Sequence, residues 1–240
     1  MNDLTVCIPE RDEDHEILSN IKSELESLGA EVIIVDDGSK DPFKDSIKHG
    51  YSYGYGSALM TGIKNASREF ILTIDGDGQH SVSEAVKLYH AFKLIGNADM
   101  VIGVRRLKDE SMVRFIGRKL INWTASIFCT YWLSDLNSGC RIFRRSVAIG
   151  YFPILCREFS FTTSLTLSFM CDRHRVEFFP INIEKRVYGK SRVKLIKDGL
   201  VTLKYIFWIG TALRTRRIRS LLRKFKLWNY LTGKGWKCVS

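Results

Sequence analysis

The feature that most constrains the fold is a repeated order of short apolar runs, charged or glycine-rich residues, and helical patterns. The runs at residues 4–8, 32–35, 70–74 and 100–104 are rich in isoleucine, valine and leucine, which is typical of buried β-strands. Between the first two, apolar residues recur at helical spacing as far as Gly29, which suits a helix C-cap. The pattern predicts an α/β domain with a parallel, doubly wound sheet.

Charged residues directly follow three of these runs. Asp36 and Asp37 follow the second run, Asp75 and Asp77 the third, and Arg105 the fourth. The carboxyl ends of parallel strands meet at one edge of a sheet, and ligands bind beyond that edge. We therefore expect these side chains to lie together, where they would form a site for a metal ion and phosphates.

Residues 75–80, which read Asp-Gly-Asp-Gly-Gln-His, allow two interpretations. Two carboxylates at the end of a buried strand repel each other, and Mg²⁺ or Mn²⁺ would relieve that repulsion by accepting their oxygen atoms as ligands. Gln79 adds one more carbonyl oxygen. Asp-Gly is also a common turn pair, so a solvated turn stays open from these residues alone.

Further elements are predicted along the chain. Pro9 is expected to end the first strand and Pro180 to break a late one. Ser83 is the expected N-cap of a helix that ends at Ile95. The other predicted elements are a long helix at 113–133, a buried helix at 161–170 and a strand at 176–183.

Two loops are candidate anion sites. Gly54 and Gly56 precede a predicted helix, whose first backbone amides could face a phosphate, although an ordinary loop is the favoured interpretation. Residues 186–192 form a basic loop with a glycine, which suits an anion.

Charge is distributed unevenly. The whole chain has a net charge of +11, yet residues 186–240 hold 15 Lys and Arg and a single acid, Asp198. This segment includes a basic helical pattern typical of an interfacial membrane helix, and a helix packed on the domain with a solvated basic face is the alternative. Nucleic-acid binding is not expected, because the aromatic residues lie on the apolar face. That face consists of Ile218, Leu221, Leu222, Phe225 and Trp228.

Cysteine content and hydropathy restrict the cellular setting. The six cysteines form no CxxC pair, so we expect neither a zinc site nor a disulfide framework. No apolar run reaches the roughly 18–20 residues of a membrane-spanning helix, and the first residues lack the pattern of a signal peptide. The expected location is peripheral, at the cytoplasmic face of a membrane.

Several motifs occur together in a characteristic order. They are Ile8-Pro9 with Glu13, residues 35–39, 54–58, 75–80 and 103–105, Asp135 with residues 138–141, and residues 189–192. Over roughly residues 4–192 the chain resembles the GT-A nucleotide-sugar glycosyltransferases of family 2. Within them it is most similar to the dolichol-phosphate (polyprenyl-phosphate) mannosyl- and glucosyltransferases.

The resemblance implies a Rossmann-like GT-A catalytic domain at residues 1–192, with a mixed, mainly parallel sheet flanked by helices. Basic amphipathic helices at 193–240, which associate with a membrane surface, would follow this domain. The implied reaction is inverting transfer of a hexose from a GDP- or UDP-hexose to a polyprenyl (dolichyl) phosphate, with Mg²⁺ or Mn²⁺ as cofactor.

The same resemblance implies roles for individual residues. The nucleotide sugar would contact Pro9, Glu13, Asp37, Gly56, Asp75 and Asp77. The metal ligands would be Asp75, Asp77 and Gln79. The acceptor and its phosphate would contact Arg105, Arg118, Arg141, Lys190, Ser191 and Arg192. The expected catalytic residues are Asp75, Asp77, Arg105 and Asp135.

The chain departs from the family pattern at a few positions, and two other functions stay open. Arg11 and Asp12 stand where the family usually has Tyr-Asn, Ser52 replaces a common Asn, and Ser164 lies where an acidic residue is frequent. One alternative is transfer to a sugar hydroxyl, which needs a base, with Asp135 as the candidate. The other is a protein that binds nucleotide sugars without catalysis.

Overall fold

A computed structural model describes residues 1–105, 112–129, 135–184 and 198–213. The strands are β1 (Leu4–Glu10), β2 (Glu31–Asp36), β3 (Ile47–Lys48), β4 (Phe70–Thr73), β5 (Met100–Arg105), β6 (Arg141–Arg144) and β7 (Val176–Ile181). The helices are α1 (His15–Ser27), α2 (Tyr55–Asn65), α3 (Val82–Ile95), α4 (Met112–Ser126), α5 (Arg145–Tyr151), α6 (Phe161–Cys171) and α7 (198–213).

The seven strands form one sheet in the order β3-β2-β1-β4-β6-β5-β7. Neighbouring strands are parallel except at β6, which runs antiparallel to both β4 and β5. The predicted mixed, mainly parallel sheet is therefore confirmed. The chain moves outward from β1 to β3 and then returns to place β4 on the other side of β1. In open sheets, ligands bind at such a reversal, beyond the carboxyl ends of the strands.

Side chains that alternate along β1 divide the core into two layers. Leu4, Val6 and Ile8 pack with residues of α1 and α3 on one face of the sheet. Cys7 packs with residues of α2, α5 and α6 on the other face. Because helices cover both faces, the central strands are apolar along their whole length, which is why they stand out in the sequence.

Both proline predictions are wrong, because each proline lies inside a strand. Strand β1 continues through Pro9 to Glu10. Strand β1 pairs with β4 only from Leu4 to Cys7. Beyond Cys7 the two strands no longer pair, so the N–H that Pro9 lacks costs no ladder hydrogen bond with β4. Pro180 lies within β7, which is an edge strand of the sheet, where proline is tolerated.

Two helices differ from their predicted bounds. The N-cap of α3 is Ser81, not Ser83, and its hydroxyl accepts a hydrogen bond from the backbone N–H of Glu84. The sequence Ser-x-x-Glu at 81–84 is that of a capping box. Helix α4 ends at Ser126, and residues 130–133 of the predicted long helix lie outside the described residues. The buried helix predicted at 161–170 is confirmed as α6.

Helices α4 and α7 enclose a third apolar cluster with part of α6. The rings of Phe128 and Phe207 meet edge to face, with centroids 5.5 Å apart. Within the described ranges, no helix is both long and apolar enough to cross a membrane. The basic loop at 186–192 and the basic helical segment from residue 214 onward lie outside these ranges, so the domain boundary at 192 stays a prediction.

The register of β1 against β2 places two acids side by side where the strands end, Glu10 opposite Asp36. Glu10 is only 3% exposed, and Asp36 is also buried. The Glu10 carboxyl accepts hydrogen bonds from Ser39 Oγ (3.2 Å) and the Phe43 N–H (3.3 Å). Burial, followed by the contact with Asp36, raises the pKa of Glu10 to about 7, although the Phe43 hydrogen bond opposes that shift.

This pair makes stability depend on pH. The folded chain holds the Glu10 proton more tightly than the unfolded chain does, so the free energy of unfolding falls as pH rises through about 7. Glu10→Gln removes the titrating group. We expect the variant to exceed the wild type in stability by on the order of 2–3 kcal/mol at about pH 8, and to lose that advantage near about pH 5.

Urea unfolding at the two pH values measures this difference. Glu24→Gln, which changes an exposed glutamate on α1, is the matched control and should show no such pH dependence. A difference between Glu10→Gln and the wild type that stays constant with pH would contradict the buried acid pair.

Candidate functional site

Strands β1, β2, β4 and β5 run in one direction, so their carboxyl ends lie at one edge of the sheet. Asp37, Asp75 and Arg105 therefore lie along the same edge, as the sequence suggested. Asp75 and Arg105 are close enough to interact, because the positive charge of Arg105 is one of the causes that lower the pKa of Asp75.

Three groups surround the Asp75 carboxylate. Tyr55 Oη donates to its Oδ1 at 2.9 Å, and His80 Nε2 lies 3.7 Å from its Oδ2. The backbone at Gly139 approaches so closely that a Cβ there would lie 2.5 Å from Oδ2. Burial favours a raised pKa for Asp75, but His80, Tyr55 and Arg105 together lower it below its usual value. Asp75 is thus held in its charged form, with its side chain still 34% exposed.

The residues after Asp75 form a tight turn. Asp77 is buried, and its Oδ1 accepts a hydrogen bond from the backbone N–H of Gln79 at 3.0 Å. The side-chain amide of Gln79 donates to the carbonyl of Glu184 at 3.4 Å. These contacts order the turn that the sequence predicted and bring both aspartates to the end of β4.

A divalent metal fits this turn only if part of its coordination comes from a ligand. In the described part of the chain, no three His, Cys, Asp or Glu side chains form a complete metal-binding group. Asp75 and Asp77 do supply hard oxygen donors, and the buried Nδ1 of the neighbouring His80 has no hydrogen-bond partner there. Mg²⁺ is commonly held by one or two carboxylates together with phosphates, and this donor set fits that case.

Asp37 is fully engaged by the protein. Its carboxylate accepts hydrogen bonds from His49 Nδ1 (2.9 Å), Ser52 Oγ (2.7 Å), and the backbone N–H groups of Tyr53 (2.8 Å) and Gly54 (2.9 Å). Burial favours a raised pKa for Asp37, but these hydrogen bonds lower it below its usual value. In this structure, Asp37 fixes the segment that precedes α2 over the end of β2.

Gly56 faces the protein and not an open phosphate site. A Cβ at Gly56 would overlap the Cys156 carbonyl oxygen and lie 2.8 Å from Phe161 Cβ. The next amide, that of Ser57, donates to the Arg157 carbonyl at 2.9 Å. The expectation that Gly56 leaves the start of α2 open to a phosphate is therefore wrong, because backbone at 156–157 occupies that space.

Arg105 and Asp135 form a two-point ion pair. Arg105 Nε donates to Asp135 Oδ2 at 2.8 Å, and Nη2 donates to Oδ1 at 3.0 Å. The Asp135 side chain is 1% exposed and that of Arg105 is 25% exposed. The carboxylate thus orients a guanidinium whose remaining surface faces the edge of the sheet.

Arg141 is completely buried, which contradicts the prediction that it contacts an acceptor phosphate. Its guanidinium donates to the carbonyls of Ser138 (3.0 Å), Thr162 (2.7 Å) and Leu136 (3.1 Å), and to Thr166 Oγ1 (2.8 Å). Burial lowers the pKa of Arg141 to about 10. Arg141 therefore supports the turn before β6 that carries Asp135 and Gly139, and no phosphate reaches it.

The remaining predicted site residues lie in three settings. Pro9 is buried within β1, and Glu13 is half-buried in the loop before α1. Arg118 lies on α4. Lys190, Ser191 and Arg192 lie outside the described residues.

The sequence alone did not reveal several contacts at this edge. His80 belongs to the recognised motif, but nothing in the motif shows that it contacts Asp75. Tyr55 and Gly139 reach Asp75 from 20 and 64 positions away, and His49 reaches Asp37 from 12. The one signal in the sequence is that Tyr55 stands between Gly54 and Gly56, and this spacing does not predict a contact with Asp75.

Comparisons with known proteins agree with this fold. The family model described as Glycosyl transferase family 2 matches residues 5–152. A protein of Methanocaldococcus jannaschii is 30% identical over 163 residues, which cover 61% of this chain and 67% of that protein. An undecaprenyl-phosphate 4-deoxy-4-formamido-L-arabinose transferase of Edwardsiella ictaluri is 28% identical over 238 residues, covering 91% of this chain and 70% of the transferase.

A solved structure shows the same architecture. Glucosyl-3-phosphoglycerate synthase from Mycobacterium tuberculosis, in complex with Mn²⁺, UDP-glucose and phosphoglyceric acid, gives a TM-score of 0.67. The match covers 88% of this chain and 80% of that one at 14% identity, so it shows a shared fold. With the family model covering well over half of its length and a GT-A sheet at its core, this chain belongs to glycosyl transferase family 2.

Proposed function

We propose that this protein transfers a hexose from a nucleotide-diphosphate sugar to a polyprenyl phosphate at a membrane surface, with inversion at the anomeric carbon. The observation that carries the proposal is the charged, partly exposed Asp75 beside Arg105 at the reversal of the sheet. This observation supports a site in which Asp75 would hold a metal–diphosphate group and Arg105 would face a second anion. The relative from Edwardsiella ictaluri, named as an undecaprenyl-phosphate sugar transferase, supports the acceptor class.

Asp75 and Asp77 would hold Mg²⁺ or Mn²⁺ together with the diphosphate of a GDP- or UDP-hexose. The structural relative that binds Mn²⁺ and UDP-glucose supports this assignment. When bound, the metal would offset the negative charge that grows on the departing diphosphate. The contribution of the chain is to keep Asp75 ionised and oriented through Tyr55 and His80.

A phosphate acceptor needs no general base. A phosphate monoester has a second pKa near 6 and is largely dianionic at neutral pH, so it is already a nucleophile. The acceptor needs a cation that offsets its repulsion by the donor diphosphate, and we propose Arg105 for that role. Arg118, Lys190, Ser191 and Arg192 are proposed as further contacts for the acceptor.

Two alternatives remain to be separated by experiment. Transfer to a sugar hydroxyl would require Asp135 as base, and the geometry disfavours it because both oxygens of this buried carboxylate accept from Arg105. The second alternative is nucleotide-sugar binding without catalysis.

A panel of UDP- and GDP-hexoses, tested with a short polyprenyl phosphate or a glycan and read by mass spectrometry, distinguishes these functions. We expect a glycosylated polyprenyl phosphate with at least one donor. A product on the hydroxyl acceptor alone would support the first alternative, and metal-dependent binding of a donor without any product would support the second.

The role of Asp77 gives a direct test of metal-dependent transfer. Asp77→Asn keeps the size of the side chain and removes its charge, and we expect the rate to fall by at least about 10²–10³. Circular dichroism should show an unchanged fold. Asp45→Asn, which changes an exposed aspartate paired with Lys22, is the matched control and should retain activity. Near-normal turnover by Asp77→Asn would refute the metal assignment.

An apolar stripe on α4 supports placement at a membrane. Its members recur at helical spacing, and Trp123 is 57% exposed. Lys119 Nζ lies 5.3 Å from the centre of the Phe115 ring, so a cation accompanies the stripe. Apolar side chains with an interfacial Trp and nearby cations suit an anionic lipid surface. The stripe consists of Met112, Ile116, Leu120 and Trp123 on α4 and of Ile127 directly after it.

Vesicle sedimentation tests this surface. We expect the double substitution Leu120→Ser and Trp123→Ser to weaken binding to anionic vesicles by at least about tenfold, because two large side chains no longer enter the lipid. Leu94→Ser, which changes an exposed leucine on α3, is the matched control and should bind as the wild type does. Equal binding by the double variant would contradict the proposed surface.

A further inference from the structure

Two tyrosine rings lie exposed just after β3, at the carboxyl edge of the sheet. Tyr51 is 64% exposed and Tyr53 is 43% exposed. Their ring centroids are 4.1 Å apart, and the ring planes are inclined by 40°. Within the described ranges, the other large apolar side chains that are comparably exposed lie on helices or directly at helix ends. This aromatic pair is therefore an exposed apolar surface at the ligand-binding edge.

The protein holds the pair in place by itself. Asp37 accepts hydrogen bonds from Ser52 Oγ, between the two tyrosines, and from the N–H groups of Tyr53 and Gly54. Gly38, with φ of +79°, lies so close that a Cβ there would be 2.7 Å from the Ser52 nitrogen. Because these contacts order the segment beforehand, a ligand that covers the rings loses little entropy in ordering them.

Arg11 adds a cationic plane to the same surface. Its Nη1 donates to Ser52 Oγ at 2.9 Å, and that hydroxyl donates in turn to Asp37 at 2.7 Å. A guanidinium plane beside exposed aromatic rings is a combination on which nucleobases stack.

The position of this surface matches the layout of a nucleoside diphosphate. Asp75 and Asp37 follow β4 and β2, which flank β1, so two strand spacings or about 10 Å separate them. Tyr55, two positions after Tyr53, donates to Asp75, so one short segment joins the aromatic pair to the proposed diphosphate site. Arg105 lies toward the opposite side of Asp75, on β5. A nucleotide with its phosphates at Asp75 thus has room for its base toward β2.

We propose that Tyr51 and Tyr53, together with Arg11, form the stacking surface for the base of the donor nucleotide. This inference rests on the proposed nucleotide-sugar donor and names the residues that bind its base. Stacking uses the face of a base and not its hydrogen-bonding edge. The surface therefore adds affinity for uridine and guanosine nucleotides alike.

Calorimetric titration with UDP, GDP and inorganic pyrophosphate, each with Mg²⁺, tests the proposal. We expect Tyr51→Ala to weaken binding of both nucleotides by at least about fivefold, because a base–ring contact is lost. Tyr51→Phe keeps the ring and should stay within about twofold of the wild type. Pyrophosphate has no base, so its affinity should be the same for all three proteins. Leu94→Ala, which shortens an exposed leucine on α3, serves as the control.

Two results would overturn the stacking surface while leaving the proposed function intact. One is unchanged nucleotide affinity in Tyr51→Ala. The other is an equal loss of nucleotide and pyrophosphate affinity, which would place the effect at the diphosphate. If the wild type binds neither UDP nor GDP, the nucleotide-sugar donor itself is wrong, and this inference falls with it.

Discussion

The cost of burying acids at the carboxyl edge of the sheet is the constraint on which the rest of the site depends. The protein relieves it differently at each acid. Asp37 and Asp135 are covered by donors from the chain, whereas Asp75 keeps a charged carboxylate that is still partly exposed. Glu10, buried beside Asp36, instead has its pKa raised to about 7. At this edge, some acids therefore organise the structure, whereas Asp75 remains available to a ligand.

The support for this edge comes from segments that contribute no charge to it directly. Arg141, buried among carbonyl groups, holds the turn that presents Asp135 and Gly139. Gly139 lets that turn approach the Asp75 carboxylate, where any side chain would collide with it. A buried cation with several carbonyl partners is costly to disturb, because removal of the guanidinium would leave those acceptors unsatisfied. Residues that resemble phosphate ligands in sequence can therefore serve the fold.

Membership in glycosyl transferase family 2 agrees with the order of the motifs and the course of the sheet. Two of the departures from the family pattern lie at the surface proposed to stack on the nucleobase. Arg11 and Ser52, two of the unusual positions, are hydrogen-bonded to each other, and Ser52 is bonded to Asp37. Arg11 and Ser52 thus belong to one connected group with Asp37, whereas Ser164 Oγ accepts a hydrogen bond from the Cys156 N–H and donates to the Phe161 carbonyl.

Much of the architecture could be predicted from local patterns. The buried strands, the helices between them and the charged strand ends followed from composition and periodicity, because helices cover both faces of a parallel sheet. Predictions failed where a neighbour in space decides the outcome. Pro9 stays in β1 because β4 pairs with β1 only as far as Cys7. The space beside Gly56 is occupied by the backbone at 156–157, which is distant in the sequence.

The sequence by itself determined the fold class and which strand ends carry charge, since both depend on residues close together in the chain. Only the tertiary structure decided which of those charged side chains are bonded to other groups of the protein. Tyr55 and Asp75 are 20 residues apart, and Arg105 and Asp135 are 30 residues apart. Such partners come into contact only when the sheet forms, so no local sequence pattern predicts the contact.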